Sequence, residues 1–135
     1  MKTFITLITF IFFAVTVWAQ ESLLLPGQYL LISYTKDSAT VQKCEITSTK
    51  DGTYVTFPAP LKFPEFAEKP HRIFIQHDRF VFTRGPEDYI QKQALDKVTL
   101  DVLTYRGSVS DGAINGSVTQ SGFTSNTYKF VLYKE

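Results

Sequence analysis

The chain has 135 residues, with 14 lysines and arginines against 13 aspartates and glutamates. This length suits one domain, and the near-balanced charge gives no basic surface of the kind that binds nucleic acid or an anionic membrane. A single cysteine, Cys44, excludes an internal disulfide, so a hydrophobic core must stabilise the fold.

Residues 1–19 predict a cleaved secretory signal peptide. They contain one charge, an apolar run that ends at Trp18, and the small residue Ala19 before Gln20. The apolar run is shorter than the roughly 20 residues that a transmembrane helix needs, and no later segment is apolar enough to span a bilayer. We therefore expect residues 20–135 to form a single domain that is secreted or periplasmic.

The next part of the chain alternates apolar and polar residues between turn residues, which is typical of β-strands. The first predicted strand covers residues 28–35. Further on, Asp51-Gly52 predicts a two-residue hairpin turn with Lys50 opposite Thr53, because type I′ turns need positive φ at both central positions. The turn places four apolar residues on one inward face: Cys44, Ile46, Val55 and Phe57.

A proline-rich segment, residues 57–70, follows these strands. Its four prolines exclude a central strand, because proline cannot donate to the ladder, and they predict a long extended loop. The next two strands form a hairpin that turns at His77-Asp78, with Ile75 opposite Phe80. The other face of this hairpin carries two apolar residues, Phe74 and Val81.

Residues 85–97 predict one short helix. Pro86 suits the first helical position, and Glu87 and Asp88 suit the first turn because carboxylates are favourable at a helix N-terminus. We expect three residues of this segment to dock on the sheet: Tyr89, Ile90 and Ala94.

The last strands contain two glycines on an inward face. A strand runs from about Val98, and Asp111-Gly112 predicts a turn that places Gly107 opposite Gly116. The missing side chains of these glycines either leave room for something or let the sheet bend. The terminal strand, residues 127–134, points three residues inward: Tyr128, Phe130 and Leu132.

About eight short antiparallel strands in one domain predict an all-β fold, a small up-and-down barrel or a flattened version of it. The stretch "GQYLLIS" resembles the opening of the calycin and lipocalin barrels, and "GSVSDGAINGSV" is similar to late hairpins of lipocalin-like secreted bacterial domains. Tyr29 stands where that family has tryptophan, and the family's later Thr-Asp-Tyr motif has no match here. The resemblance implies a barrel, and we carry no binding residue over from it.

The sequence contains no recognisable catalytic, metal-binding or cofactor-binding motif. His71 and His77 are the only imidazoles, and turn and strand-end positions explain them better than a metal shell of three or four ligands does. Cys44 has no positioned histidine and is expected to be a small buried hydrophobe. We therefore expect a protein without catalytic residues, metal or cofactor.

Two binding functions remain open. In the first, the barrel interior binds a small apolar or aromatic molecule, with the proline-rich loop as its portal, although side chains alone can fill such an interior. The expected lining residues are Tyr105, Gly107, Val109, Ile114, Gly116, Val118, Tyr128 and Phe130. In the second, the chain is an interaction module or inhibitor that binds another exported protein through aromatic and aliphatic residues. The candidates for that surface are Phe63, Phe66, Phe74 and Val81.

Overall fold

The computed structural model describes residues 24–97, 101–110, 112–122 and 125–135. Eight antiparallel strands form a closed barrel in which every strand pairs with its sequence neighbours and the last strand pairs with the first. The strands are β1 (Gly27–Tyr34), β2 (Ala39–Thr49), β3 (Gly52–Thr56), β4 (His71–Gln76), β5 (Arg79–Arg84), β6 (Val102–Ser110), β7 (Ala113–Ser121) and β8 (Asn126–Lys134). The predicted all-β up-and-down barrel is confirmed, and it is compatible with a lipocalin-like fold.

Two of the sequence-based predictions concern residues that the structure does not describe. The signal peptide, residues 1–19, lies outside the described ranges, as does the start of the strand expected from Val98; β6 begins at Val102. In the part of the chain that is described, no helix has the length and apolar character needed to cross a bilayer.

Aromatic rings fill the middle of the barrel. Phe82 stacks on Tyr105, with ring centroids 4.5 Å apart and planes inclined by 3°. Phe80 meets the edge of Phe82 at 5.4 Å, and Phe130 meets the edge of Tyr105 at 5.3 Å. Full burial of such a side chain contributes about 1.5–3 kcal/mol, so these rings are a main source of stability in a chain without a disulfide.

The β2–β3 hairpin differs from the prediction in its register. The structure pairs Thr49 with Gly52, so Lys50 and Asp51 occupy the turn, and the predicted pairing of Lys50 with Thr53 is wrong. The Thr49 hydroxyl accepts a hydrogen bond from the Asp51 backbone N–H at 3.2 Å, which stabilises the turn one residue earlier than expected. A register difference of two residues keeps every side chain on its face. The predicted inward set is accordingly buried: Cys44, Ile46, Val55 and Phe57.

The other two predicted hairpins have the expected registers. Ile75 pairs with Phe80 across β4 and β5. Ser110 pairs with Ala113 across β6 and β7, which brings Gly107 opposite Gly116.

The segment predicted as a short helix forms two 3-10 turns, Pro86–Asp88 and Lys92–Asp96. An α-helix cannot continue from Pro86, because the Ile90 N–H donates to the carbonyl of Ala67 in the proline-rich loop at 2.9 Å. Among the residues expected to dock, Ala94 is buried and Tyr89 is half-buried. Ile90 is exposed, so its predicted docking is wrong.

The two ends of the barrel differ in their connections. Short connections close one end, at residues 50–51 and 77–78 and between the paired residues Ser110 and Ala113. The opposite end, called the mouth here, carries the connections 35–38, 57–70, 85–101 and 122–125. The proline-rich loop and the 3-10 segment therefore meet at the mouth.

Candidate functional site

A cavity of about 480 Å³ opens at the mouth of the barrel. It is lined by side chains of six strands and by residues of both long mouth connections. The lining combines three tyrosine phenols with hydroxyl, amide and charged groups, and it includes Ser33 and Thr40 on the β1–β2 side.

The floor of the cavity is apolar and aromatic. Tyr105 on β6 and Val118 on β7 are paired in register, and both line the cavity although almost none of their surface is exposed. The Tyr105 ring stacks on the ring of Phe82, its in-register partner on β5. The floor of the cavity is therefore part of the packed core.

Two clusters of polar residues lie on the cavity wall, and the first centres on Arg84. The Arg84 side chain lies on the inward face of β5, as do those of Phe80 and Phe82. Its Nε and Nη2 donate to Glu68 Oε1 and Oε2 at 3.0 and 2.6 Å, and its Nη1 donates to Gln42 Oε1 at 2.9 Å. A bidentate guanidinium–carboxylate pair of this kind is among the strongest hydrogen-bonded arrangements in proteins. The pair fixes the proline-rich loop, which carries Glu68, to the wall of the barrel.

The Arg84 guanidinium also lies over an aromatic ring. Its central carbon is 3.7 Å from the ring centroid of Phe57, which is a cation–π contact. Arginine can therefore occupy an inward position here, since its charge is balanced by Glu68 and its flat face is covered by the ring.

The ionisation states of this pair follow from their contacts. Burial alone raises the pKa of Glu68, but hydrogen bonds from His71 and Arg84, with the charge of Arg84, outweigh burial and hold the pKa at about 2. Burial lowers the pKa of Arg84, yet the bonds to Glu68 more than compensate and leave it raised. Burial raises the pKa of Tyr105, so its phenol stays neutral. Both members of the ion pair are charged at neutral pH.

The His71 side chain lies between the proline-rich loop and the 3-10 segment. Its Nε2 lies 3.1 Å from Glu68 Oε1, and its Nδ1 lies 3.5 Å from Asp88 Oδ2 on the 3-10 segment. The side chain is 1% exposed, and its Nδ1 has no hydrogen-bond partner within the described ranges. We call Gln42, Glu68, His71 and Arg84 together the Arg84 network.

A second polar group stands at the ends of β6, β7 and β8. Gln120 Nε2 donates to Asp101 Oδ2 at 2.7 Å, and the Tyr128 hydroxyl donates to Gln120 Oε1. Gln120 shares its inward face with Val118. We call Asp101, Gln120 and Tyr128 the Gln120 network.

The two long connections hold each other at the rim of the cavity. The Lys69 N–H donates to the Asp88 carbonyl at 2.7 Å, next to a β-bridge between Glu68 and Tyr89. Lys97 Nζ lies 3.1 Å from Glu65 Oε1. The proline-rich loop and the 3-10 segment are therefore bonded to each other along the rim.

The residues predicted to line a ligand site do not all reach the cavity. Tyr105, Val118 and Tyr128 line it. Ile114 and Phe130 are buried in the core beneath it, and Val109 packs against that core near the closed end. Gly107 and Gly116 lie beneath the cavity too. A Cβ on Gly107 would lie 2.6 Å from the Asn115 carbonyl oxygen, so the neighbouring backbone already fills the space that a side chain would need there.

Sequence reasoning missed the charged and amide residues of the cavity, although part of the signal was present. Gln42 has the same parity as Cys44, and Arg84 has the same parity as Phe82, so each is a polar residue on an inward face. A polar group at such a position requires a partner or a polar space, because an unpaired buried polar group is costly. Glu68 lies in an irregular loop, where no periodic pattern reveals the direction of a side chain.

The residues predicted for protein binding fall into two places. Phe63 and Phe66 lie in the proline-rich loop at the mouth, where Phe66 packs against Tyr89 with ring centroids 6.4 Å apart and Phe63 is 51% exposed. Phe74 and Val81 are paired with each other on the outer wall of the barrel.

Among known proteins, no family model, no curated protein and no solved structure matches this chain.

Proposed function

We propose that the protein is an exported, non-enzymatic binding protein whose mouth cavity takes a small molecule with an apolar or aromatic body. The observation that carries this proposal is the cavity of about 480 Å³ above the Tyr105–Val118 floor. Small-molecule pockets commonly span roughly 300–1,000 Å³ and combine an apolar surface with a few convergent polar groups. Export is supported by the signal-peptide pattern of residues 1–19.

The two polar networks indicate a ligand with a neutral hydrogen-bonding head group. Glu68 already compensates the charge of Arg84, so the guanidinium has little excess charge with which to attract a carboxylate. Gln42 accepts from Arg84 through its oxygen, which leaves its NH₂ group as a donor. The Tyr128 oxygen, whose proton is given to Gln120, remains an acceptor. An aromatic amide or an aromatic alcohol matches these groups.

The buried position of the Cys44 thiol supports a binding function rather than covalent catalysis by this cysteine. Burial raises the pKa of Cys44 to about 12, and its Sγ lies 3.8 Å from the carbonyl oxygen of Tyr29. A thiol in this state is a poor nucleophile, because the thiolate is the reactive form.

An NMR titration tests the proposal. We would add a mixture of small aromatic amides and alcohols to ¹⁵N-labelled residues 20–135 and follow the amide resonances. Shifts are expected at Ser33, Tyr105 and Gln120, which surround the cavity. Shifts confined to the outer wall at Phe74, or none with any compound at millimolar concentration, would contradict binding at the mouth.

A further inference from the structure

The charged side chains are divided unevenly between the barrel wall and its ends. Within the eight strands, the only acidic residue is Glu45, whereas five exposed cations point outward. These cations are Lys43, Arg72, Arg79, Arg106 and Lys129. The other described acids lie in turns, in the mouth connections or at the C-terminus. The near-balanced charge of the whole chain therefore conceals a positive outer wall.

Three of these cations surround an apolar centre on β4, β5 and β6. Phe74 pairs with Val81, and Val81 pairs with Arg106, so the three side chains form one row across the outer face. Arg79 lies on the same face of β5, two residues before Val81. The guanidinium carbon of Arg72 lies 5.2 Å from the ring centroid of Phe74. We call these five residues the arginine patch.

The arginine patch borders a concave surface. A depression of about 790 Å³ is lined by residues 74–76, 79–81 and 106–108. The Phe74 side chain is 57% exposed at this depression. In the part of the chain that the structure describes, Arg72, Arg79 and Arg106 form no ion pair with a carboxylate. The patch thus presents an aromatic ring and three uncompensated guanidinium groups to the solvent.

We propose that the arginine patch binds an acidic segment of another protein, in which carboxylates flank an apolar side chain. Guanidinium groups match carboxylates in a bidentate geometry, and arginine and aromatic residues dominate the binding energy of protein interfaces. The apolar side chain of the partner occupies the depression beside Phe74 and Val81 and excludes water from the surrounding ion pairs. The positive wall accelerates the encounter with such a partner.

Charge complementarity and the apolar centre together favour a protein segment over other anions. An anionic polysaccharide or a lipid surface offers charge without a side chain that fills the depression. Binding of either would depend on all five outward cations about equally, including Lys43 and Lys129 on β2 and β8. This difference makes the partner class testable, independently of the mouth cavity.

The test uses residues 20–135 and two fluorescent peptides, one with aspartates on both sides of a tryptophan and one with asparagines at the same positions. The double variant Arg79→Glu/Arg106→Glu is compared with the control Lys43→Glu/Lys129→Glu, which reverses the same number of exposed charges elsewhere on the wall. Anisotropy measures binding, with heparin and vesicles of anionic phospholipid as competing probes. Thermal unfolding of both variants verifies that the fold is retained.

We expect the aspartate peptide to bind, the asparagine peptide to bind much more weakly, and the arginine reversal to weaken binding at least about tenfold. The lysine reversal should weaken it by less than about threefold, because only long-range attraction is lost. Equal losses in the two double variants would overturn the proposal. Tighter binding of heparin or vesicles than of the peptide would also overturn it, as would an aspartate peptide that does not bind at millimolar concentration.

Discussion

The rings of Phe80 and Phe130 lie with their centroids 6.5 Å apart inside the barrel, although two strands separate β5 from β8. Strands are spaced by about 4.8 Å, so their backbones are roughly 14 Å apart along the sheet. Gly107 and Gly116 stand between them in register, Gly107 beside Phe80 and Gly116 beside Phe130. The two rings approach each other across these glycines, which carry no side chain to separate them.

This relationship predicts that Gly116→Ala destabilises the fold strongly. A Cβ at Gly116 would collide with the Arg106 carbonyl oxygen and lie 2.5 Å from the Gly107 Cα. Backbone atoms cannot move aside as a flexible side chain does, so we expect a loss of about 3 kcal/mol, at the upper end of the usual cost of overpacking. Urea unfolding measures it.

The matched control for this change is Gly112→Ala. Gly112 has a φ of +77° but nothing within 4 Å of an added Cβ, so only backbone strain of about 1 kcal/mol is expected. If the two variants were equally stable, the close approach of β6 and β7 would be refuted. The Cβ added in Gly116→Ala collides with backbone atoms whether the barrel interior is hollow or filled. The stability of this variant therefore does not report on the barrel interior.

Cys44 is predicted to resist thiol reagents in the folded protein. Its side chain is buried, and burial raises its pKa to about 12, so almost no thiolate forms at neutral pH. The measurement is the rate of labelling by a chromogenic disulfide with and without denaturant. Glu45→Cys, which places an exposed thiol on the opposite face of the same strand, supplies the control and should label rapidly after Cys44 itself is changed to Ala. Equal rates at the two positions would contradict the inward register of β2.

The Arg84–Glu68 pair predicts a specific dependence of stability on pH. Because hydrogen bonds and the charge of Arg84 outweigh burial and lower the pKa of Glu68 from 4.5 to about 2, the pair stabilises the fold above the ordinary pKa. That stabilisation is lost as the pH falls from about 4.5 toward 2. Glu68→Gln should therefore cost about 3 kcal/mol at neutral pH and almost nothing below the folded-state pKa, where the Glu68 carboxyl is as neutral as the amide that replaces it.

The control for this pH dependence is Glu65→Gln in the same loop. Glu65 pairs with Lys97, whose side chain is 58% exposed, and an exposed pair of this kind contributes little to stability. Its stability difference from the parent should stay small at every pH, as measured by urea unfolding. A Glu68→Gln penalty that does not shrink in acid would show that the ion pair is not its source.

Processing supplies a further prediction. We expect the exported protein to begin at Gln20, which leaves every described residue in the mature chain. Intact mass spectrometry of the secreted or periplasmic product measures the start point. A product that retains the apolar run through Trp18 would indicate an uncleaved anchor.

Much of the fold followed from local signals in the sequence. Asp111-Gly112 set the pairing of Ser110 with Ala113, and alternation set which residues face inward. The β2–β3 register was wrong by two residues because the Thr49 hydroxyl stabilises a turn at Lys50-Asp51, a contact that the Asp-Gly pattern does not report.

The site was less predictable, because its contacts join distant parts of the chain. Arg84 bonds to Glu68 at a separation of 16 residues and to Gln42 at a separation of 42. Periodicity identifies an inward arginine, but it cannot name a partner in an irregular loop. The 3-10 turns likewise depend on the bond from Ile90 to Ala67, which forms only once the two mouth connections meet.

The most direct measurement of the central claim is native mass spectrometry of the protein purified without denaturant from the organism that makes it. Ser33→Phe adds a ring to the lining of the cavity, and Ile32→Phe, its neighbour on β1, adds the same ring to the outer face. We expect a small-molecule adduct on the parent and on Ile32→Phe, and none on Ser33→Phe. A parent without an adduct, or a Ser33→Phe variant that keeps it, would contradict a ligand site at the mouth of the barrel.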